Sequence, residues 1–491
     1  MGSPPPRHHP HHSSFSPITR LPAEILLSIF HHARSTHLSL VPSYSASPAA
    51  HSLARRLNPV LAVSHTCRAW RALADGAPEL WSVVHLDGDI EGEEAEGKVG
   101  FWVEKARRRR RGGGTGEPAD EEDDAEREGE NAVDTLVLIN VQDWTDDTFS
   151  YLCEALELVH RLRLRRVHAS WRSVNSTANE HRQLQSLFTL LLSFARTLTH
   201  LTLHTTSHLR ILFSLPRLGH TFTALSALEI RAAPISVPAS DAYLVPSFLP
   251  RYGGEEDWNP LSSLRSLVLV GPIWRLRYRD GTVASPTLDA ADVPALRYAE
   301  LSSSSPQVHW SLLSSPLIKH LHLRSWFDHP HLPDPDLALH PNSGGIANLT
   351  SLSLSRSPQL ATRLLDLALS TPGLRWANLE ALDLRGAVLT QAQLDLFSEE
   401  RAPRLVELDL SDSTASPSGT LTLTLPTFTP SLRLLSLLHI RWLTPHELVQ
   451  AVVHRGVAVG LEELCWDADM AEGEERALRA VGVRVVGEEE E

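Results

Sequence analysis

The chain has 491 residues, 42% of them hydrophobic, which is too long for one compact core and enough for several domains or an extended array. Lys and Arg number 45 against 59 Asp and Glu, and the resulting formal charge of −14 argues against specific nucleic-acid binding, which depends on cations facing phosphates. Three dispersed cysteines exclude a disulfide framework. The sequence shows no signal-peptide pattern and no apolar run long enough to span a bilayer, so we expect a nuclear or cytoplasmic protein that contacts no membrane.

The N-terminal part begins with a tail and continues as a helical domain. Residues 1–16 are rich in Pro, His and Ser, which predicts a disordered tail. Residues 17–85 predict three short helices, the first with Pro22 at its start and one apolar stripe along it. A second start lies at Asn58-Pro59, and a third helix containing Trp70 ends before Gly76. So small a domain has too little interior for all its large apolar residues, which indicates a partner surface.

Three segments of this domain form an ordered pattern: Leu21-Pro22 to Phe30, Thr66 to Arg71, and Pro78 to Trp81. Together they resemble an F-box, in the F-box-like form that often precedes leucine-rich repeats. Thr66 stands where Val is commoner, and residues 35–56 are a longer insert than the compact form has. The F-box partner is the Skp adaptor of cullin–RING ubiquitin ligases. The resemblance implies an adaptor-facing or adaptor-supporting set, which is Leu21, Pro22, Ile25, Leu26, Ile29, Phe30, Cys67 and Trp70.

A low-complexity segment follows over residues 86–130. It contains a basic run from Lys105 to Arg111, several glycines, and an acidic run from Glu117 to Glu130. Such charge blocks do not pack, and the composition predicts a charged linker or loop. The basic run is either a nuclear-import signal or part of a solvated loop, and the sequence leaves both possibilities open.

From residue 131 to 470 the chain is rich in Leu and repeats the pattern L-x-x-L-x-L about every 30 residues. Eight clear copies begin at Leu198, Leu225, Leu264, Ile318, Leu349, Leu379, Leu405 and Leu432. Four weaker copies begin at Val133, Val159, Leu296 and Leu461. We call each six-residue unit a hexad and number its positions from the first apolar residue, continuing the numbering past position six.

The hexads predict short strands. Apolar residues at positions four and six share one buried face of a strand, and the spacers are long enough for a helical or irregular return. A unit of this kind buries its apolar face only when neighbours stack, which predicts a solenoid with a parallel sheet. The pattern resembles the leucine-rich repeat family, although the usual Asn or Cys three places after the hexad is missing. The fold class is therefore an α/β solenoid: a three-helix head, then an irregular horseshoe with a parallel inner sheet. Residues 471–491 are predicted to be an acidic tail.

Positions three, five and seven should line the inner surface, where a client protein would bind. Their charge changes from basic to acidic along the chain, which would orient a charged partner. We hypothesise that the acidic half binds a basic client segment, and Arg161, Arg163 and Arg165 would suit a phosphate. The candidate residues are Arg161, Arg163, Arg165, His200, His204, His320, His322, Arg324, Asp383, Arg385, Glu407, Asp409, Glu463 and Asp467.

No catalytic or cofactor motif holds in this sequence. There is no GxSxG elbow, no phosphate-binding P-loop and no HExxH zinc motif, because Gln450 stands where the second His after His446-Glu447 is needed. We therefore expect no catalytic residue, metal site or cofactor. The resemblances imply a non-catalytic substrate receptor of an SCF (Skp–cullin–F-box) ligase, which binds the Skp adaptor, through it a cullin, and an unknown client. The alternative is a leucine-rich scaffold that takes no part in ubiquitin transfer.

Overall fold

A computed structural model gives the architecture of the chain in two compact units. Unit 1 comprises residues 1–136 and 150–163, and unit 2 comprises residues 137–149 and 164–491. The structure describes residues 21–40, 59–87, 92–107, 133–139, 141, 144, 146–158, 164–171, 186–187, 189–205, 222–232, 261–270, 276–277, 283–284, 293–303, 312, 315, 317–325, 347–355, 357–371, 375–417, 421–422, 430–454, 460–466 and 470–486. The predicted tail over 1–16 lies outside these ranges.

Unit 1 is built mainly from helices. They are α1 (Ala23–Leu40), α2 (Pro59–Thr66) and α3 (Arg68–Asp75), followed by a 3₁₀ turn (Pro78–Trp81) and strand β1 (Val83–Asp87). Pro59 and Pro78 are the first residues of their elements, where a missing N–H costs nothing. Helix α3 ends at Gly76, whose N–H donates to the Ala72 carbonyl at 3.0 Å.

The linker predicted over residues 86–130 is wrong for the part that forms helix α4 (Gly92–Arg107). Val99 and Trp102 are fully buried, and the Trp102 ring lies 5.1 Å from that of Trp81. Lys105 also reaches Asp75, with Nζ 2.6 Å from Oδ1. Apolar residues at helical spacing thus override the charged average composition. The rest of the charged segment, from residue 108 on, lies outside the described residues.

Strand β2 (Thr135–Ile139) belongs to the long parallel sheet, and helix α5 (Asp146–Leu158) follows it in the chain. After β2 the sheet has one strand for each later hexad and ends with one additional strand, and every neighbouring pair among these later strands is parallel. It confirms the predicted α/β solenoid-like architecture with a parallel sheet. The strands, in spatial order, are β3 (Arg166–Trp171), β4 (His200–Thr205), β5 (Ala227–Ala232), β6 (Ser266–Val270), β9 (Tyr298–Ser303), β10 (His320–Ser325), β11 (Ser351–Ser353), β12 (Ala381–Asp383), β14 (Glu407–Asp409), β16 (Leu434–Ser436), β17 (Glu463–Cys465) and β18 (Arg484–Val486).

The strand register follows the hexads. Leu201 pairs with Leu228, and Leu408 pairs with Leu435, so equal hexad positions are neighbours across the sheet. Among the described hexad leucines, those at positions one, four and six are buried, except for the half-buried Leu269. Positions three, five and seven occupy the opposite face, which we call the open face.

The hexad assigned to residues 159–164 is out of frame. Arg166 pairs with His200 and Val167 with Leu201, so the hexad begins at Leu164 and continues with Val167 and Ala169. Those three side chains are at most 2% exposed. Val159, Leu162 and Leu164 fit the same spacing, whereas the third apolar residue of the in-frame hexad is only an alanine, Ala169.

Helices return the chain between several C-terminal strands. They are α6 (Pro358–Ser370), α7 (Gln391–Leu394) with the 3₁₀ turn Asp395–Phe397, and α8 (Pro445–His454). The predicted Thr444-Pro445 start of α8 is confirmed, because Glu447 N–H donates to Thr444 Oγ1 at 3.3 Å. Two small pairs accompany the long sheet: the hairpin of β7 (Leu276–Arg277) with β8 (Val283–Ala284), and parallel β13 (Val388–Leu389) with β15 (Thr414–Ala415).

The predicted acidic tail over 471–491 is wrong for most of its length. Residues 472–480 form helix α9 (Glu472–Ala480), and β18 pairs with β17 through Val485 and Leu464. Leu478 and Val483 are buried, so two apolar residues in an acidic stretch suffice to complete one more repeat. In the part of the chain that the structure describes, no helix combines the length and apolar character needed to cross a bilayer.

Candidate functional site

One face of α1 and the residues before it are apolar and open to solvent. Leu21, Ile25 and Ile29 are 37%, 48% and 42% exposed, and Pro22 beside them is exposed as well. Residues four apart lie on the same side of a helix, so Ile25 and Ile29 form a continuous surface. We call Leu21, Ile25 and Ile29 the apolar stripe. A large apolar surface on a small domain is characteristic of a partner-binding site.

The other predicted adaptor residues support this stripe from inside. Leu26 is 7% exposed and Phe30 is 2% exposed. The Phe30 ring lies 5.2 Å from the ring of the half-buried Trp70 in a tilted arrangement. Cys67 caps α3, where its Sγ accepts from the Trp70 N–H at 3.5 Å. The eight residues therefore divide into four that face solvent and four that are buried or half-buried, of which Phe30 and Trp70 join α1 to α3.

The second candidate surface is the open face of the long sheet, and its N-terminal end differs from the prediction. Arg161 and Arg163 lie outside the described residues, and Arg165 is exposed but precedes β3. The in-frame open-face residues of β3 are instead Arg166, His168 and Ser170. This end of the open face still carries a basic residue, because Arg166 lies there in place of the predicted Arg161, Arg163 and Arg165.

The predicted histidines are not all available to a partner. His204 is 5% exposed, and His200 and His322 are half-buried, whereas His320 and Arg324 are exposed. Burial lowers the pKa of His200 and His322 below 6.5, and neighbouring Arg166 and His320 respectively lower it further. Neutral imidazoles carry no fixed charge, so the N-terminal basic character depends mainly on arginine.

A polar network that the sequence analysis missed crosses the middle of the open face. Arg231 Nε donates to Glu229 at 2.5 Å, and Arg231 Nη2 donates to Glu300 at 3.0 Å. Tyr298 donates to Glu300 at 3.4 Å, and His204 Nε2 lies 3.5 Å from Glu229. We call Glu229, Arg231 and Glu300 the central triad. Its signal is an acid at position five with an arginine at position seven, visible only once all the hexads are aligned.

Electrostatics favour the charged forms of Glu229 and Arg231 in the central triad. Burial on its own would raise the pKa of Glu229, but contacts from His204 and Arg231 outweigh it and lower the pKa to about 2. Burial alone would likewise lower the pKa of Arg231, and the two glutamates raise it. Nearby His168 has a pKa lowered to about 4, chiefly by burial, despite the attraction of Glu229.

The C-terminal part of the open face has a second acid–arginine–acid cluster, the C-terminal triad Asp383, Arg385 and Asp409. Arg385 Nη2 donates to Asp383 at 2.9 Å, and its Nε lies 3.2 Å from Asp409. Ser353 Oγ donates to Asp383 at 2.8 Å, and Ser411 N–H donates to Asp409 at 2.9 Å. Burial would raise the pKa of Asp383, but its bonds from Arg385 and Ser353 lower it, whereas burial raises the pKa of Asp409.

A shallow pocket of about 180 Å³ opens beside the C-terminal triad. Its lining includes Asp383, Glu407, Asp409, Ser436, Glu463 and Cys465. Glu407 is exposed and has no ion-pair partner among the described residues, whereas Glu463 pairs with Arg484. Asp467 lies outside the described residues. Within the described ranges, no cluster of His, Cys, Asp and Glu has an arrangement that could hold a metal ion.

Comparison with known proteins bears on unit 1. A family model described as F-box-like matches residues 18–87. This range includes the apolar stripe, Cys67 and Trp70, so the chain contains an F-box-like domain at its N-terminal end. The search of curated proteins finds no match for the chain.

Proposed function

We propose that this chain is the substrate-recognition subunit of an SCF-type E3 ubiquitin ligase. The observation that carries the proposal is the solvent-exposed apolar stripe inside the F-box-like domain. F-box domains generally bind Skp-type adaptors, and the stripe would bury Leu21, Ile25 and Ile29 against that partner. Burying three such side chains contributes several kcal/mol at about 25 cal/mol per Å², which suits a specific interface.

The repeat part would bind the client, and we infer that it is of the leucine-rich-repeat type. Two binding surfaces on one chain raise the effective concentration of client lysines near a conjugating enzyme carried by the cullin. In this mechanism the chain contributes proximity and no catalytic residue or cofactor, and it works in the nucleus or cytoplasm. The alternative role is a repeat scaffold that takes no part in ubiquitin transfer.

Co-elution with a Skp adaptor and a cullin tests the proposal. We expect full-length protein to co-elute with both, and Ile25→Asp/Ile29→Asp to abolish co-elution, because two carboxylates would be buried unpaired at the interface. Both residues are exposed, so the fold should tolerate the change better than it would tolerate loss of Trp70. Leu317→Asp/Leu369→Asp is the matched control, because these two exposed apolar residues belong to unit 2. If folded wild-type protein does not co-elute with the adaptor, the ligase role is wrong and the scaffold role is the remaining proposal.

The pocket beside the C-terminal triad is our candidate for recognising a basic client segment. Glu407 lines it and has no ion-pair partner in the described ranges, so a Lys or Arg side chain would gain a charge-assisted contact there. We expect Glu407→Lys/Asp409→Lys to abolish binding of a labelled deca-lysine peptide to the full-length protein, and Glu399→Lys/Glu400→Lys to preserve it. If both variants bind the peptide equally well, the pocket is not the site that recognises a basic client segment.

A further inference from the structure

The position-two residues of successive hexads lie side by side in a row at the N-terminal ends of the strands. We call this row the ladder. Main-chain bonds hold this ladder in register: Arg297 N–H donates to the Arg265 carbonyl at 2.9 Å, and Lys319 N–H donates to the Arg297 carbonyl at 2.8 Å. Adjacent strands are about 4.8 Å apart, so these three residues stack over about 10 Å. We call Arg265, Arg297 and Lys319 the basic rim.

The charges of the basic rim are not compensated within the described part of the chain. All three side chains are exposed, and none has an acidic or hydrogen-bonding side-chain partner there. Three stacked cations repel one another in the free protein, and an anion bound across them would relieve that repulsion.

Other parts of the same ladder show how this chain treats position two elsewhere. On one side of the rim, Thr199 and Ser226 use their hydroxyls to bond the preceding position-two carbonyl at 3.0 Å. Near the C-terminal end, Arg433 lies beside Glu462 and pairs with it at 2.6 Å. Near the C-terminal end, a position-two cation therefore lies beside a position-two acid. At the basic rim, three successive strands each place a cation at position two with no acid beside it at that position.

From this contrast we infer that the basic rim binds an extended acidic peptide segment running across the strands. An extended chain rises about 3.3 Å per residue, so four residues span the three cations. The exposed His320 lies one residue beyond the rim on the open face and offers a further polar contact. Three cations offer only a few phosphate contacts, which disfavours the alternative polyanion, a nucleic acid. Such a peptide would be one class of client for the proposed receptor. Its interpretation as a client rests on the proposed function, whereas the binding itself does not.

Fluorescence anisotropy with a fluorescein-labelled deca-glutamate peptide and the full-length protein tests this inference. We expect binding at about 50 mM salt that weakens steeply as salt rises, because the contacts are exposed ion pairs. Arg265→Gln/Arg297→Gln/Lys319→Gln should weaken binding about tenfold, the effect expected for three ion pairs of ordinary strength.

The matched control is Arg433→Gln/Arg476→Gln/Arg479→Gln, which removes three exposed cations that already have acidic partners. Its Kd should stay within about twofold of wild type. Absence of binding by wild-type protein, an equal loss in both triple variants, or tighter binding of a ten-nucleotide single strand would each overturn the inference. The assay contains no adaptor, so protein that co-elutes with the adaptor but ignores the peptide refutes the inference alone.

Discussion

The central and C-terminal triads contain the same acid-x-arginine pattern on strands of different length. β5 has 6 residues and includes both Glu229 and Arg231, whereas β12 has 3 residues and ends at Asp383, before Arg385. On the long strand the arginine stays against the sheet and reaches past β6 to Glu300 on β9. On the short strand the arginine follows the last paired residue and reaches only the adjacent β14.

This difference in reach changes the environment of the charges. The Glu300 side chain is 12% exposed and relies on Arg231, and among the described residues Tyr298 is its one further side-chain donor. In the C-terminal triad, Ser353 and the main chain of Ser411 also serve the carboxylates. One sequence pattern thus forms an interdependent network in a long strand and a locally satisfied cluster after a short one.

The largest expected effect is on the central triad. Arg231→Ala should lower the free energy of unfolding by about 2 kcal/mol, because it leaves two poorly solvated carboxylates without their cation. The half-exposed position of Arg231 keeps this value below the roughly 3–5 kcal/mol of fully buried pairs. Urea unfolding of the full-length protein measures the loss. Adding Glu300→Gln to Arg231→Ala should restore about half of it, and no restoration would contradict the coupling of these two residues.

A pH dependence should distinguish the central region from the C-terminal one. The folded-state pKa of His168 is about 4 against an ordinary value of 6.5, so its neutral form favours folding above pH 6.5. That stability is lost as pH falls from 6.5 towards 4, because the unfolded chain takes up the proton first. Between pH 7.5 and 5 the loss should be about 2 kcal/mol.

The contribution of His168 is separated by comparing wild type with His168→Gln, whose stability should fall less over the same interval. The residues facing His168, namely Glu229, His204, His200 and Arg166, are left unchanged in both proteins. Glu229 titrates in a lower window, because its pKa is lowered from 4.5 to about 2, and its contribution disappears only as pH falls through that range. Identical pH profiles for the two proteins would show that His168 is not held neutral by burial.

Sequence patterning predicts the buried side of the sheet well, because hexad spacing fixes which face of a strand each leucine occupies. It predicts poorly where a hexad begins when one of its three apolar positions holds a small residue, as Ala169 does at position six of the β3 hexad. It also fails at α4, where Val99 and Trp102 are few among many charges but are enough to bury one helical face. In both cases packing depends on particular residues, whereas composition reports an average.

The central triad could not be placed from local sequence. Arg231 and Glu300 are 69 residues apart, and the β7–β8 hairpin lies between them. Only the register of β5, β6 and β9 brings the two side chains together. In the head, by contrast, the apolar residues of α1 are readable as one set, but which of them face solvent depends on where Trp70 packs.

A smaller effect is expected at the turn that follows β12. Gly386 follows Arg385 with φ +76°, and its N–H donates to the Ser411 carbonyl at 2.9 Å. A Cβ there would meet nothing within 4 Å, so Gly386→Ala is strained only by its backbone. It should cost about 1 kcal/mol, and Gly460→Ala, with open space and no positive φ, should cost less. Thermal unfolding of both variants measures the difference, and equal midpoints would show that the positive φ of Gly386 adds no cost for a side chain.

The smallest expected effect tests the comparison directly. Arg385→Ala should cost about 0.5 kcal/mol, because Arg385 is 44% exposed and its partners keep other donors. Loss of the cation should raise the pKa of Asp409 further, since Arg385 now opposes the effect of burial. A carboxyl with a raised pKa favours folding at low pH, so the variant should recover stability relative to wild type as pH falls from 7. If Arg385→Ala costs as much as Arg231→Ala in the same urea titration, strand length does not explain the difference between the triads.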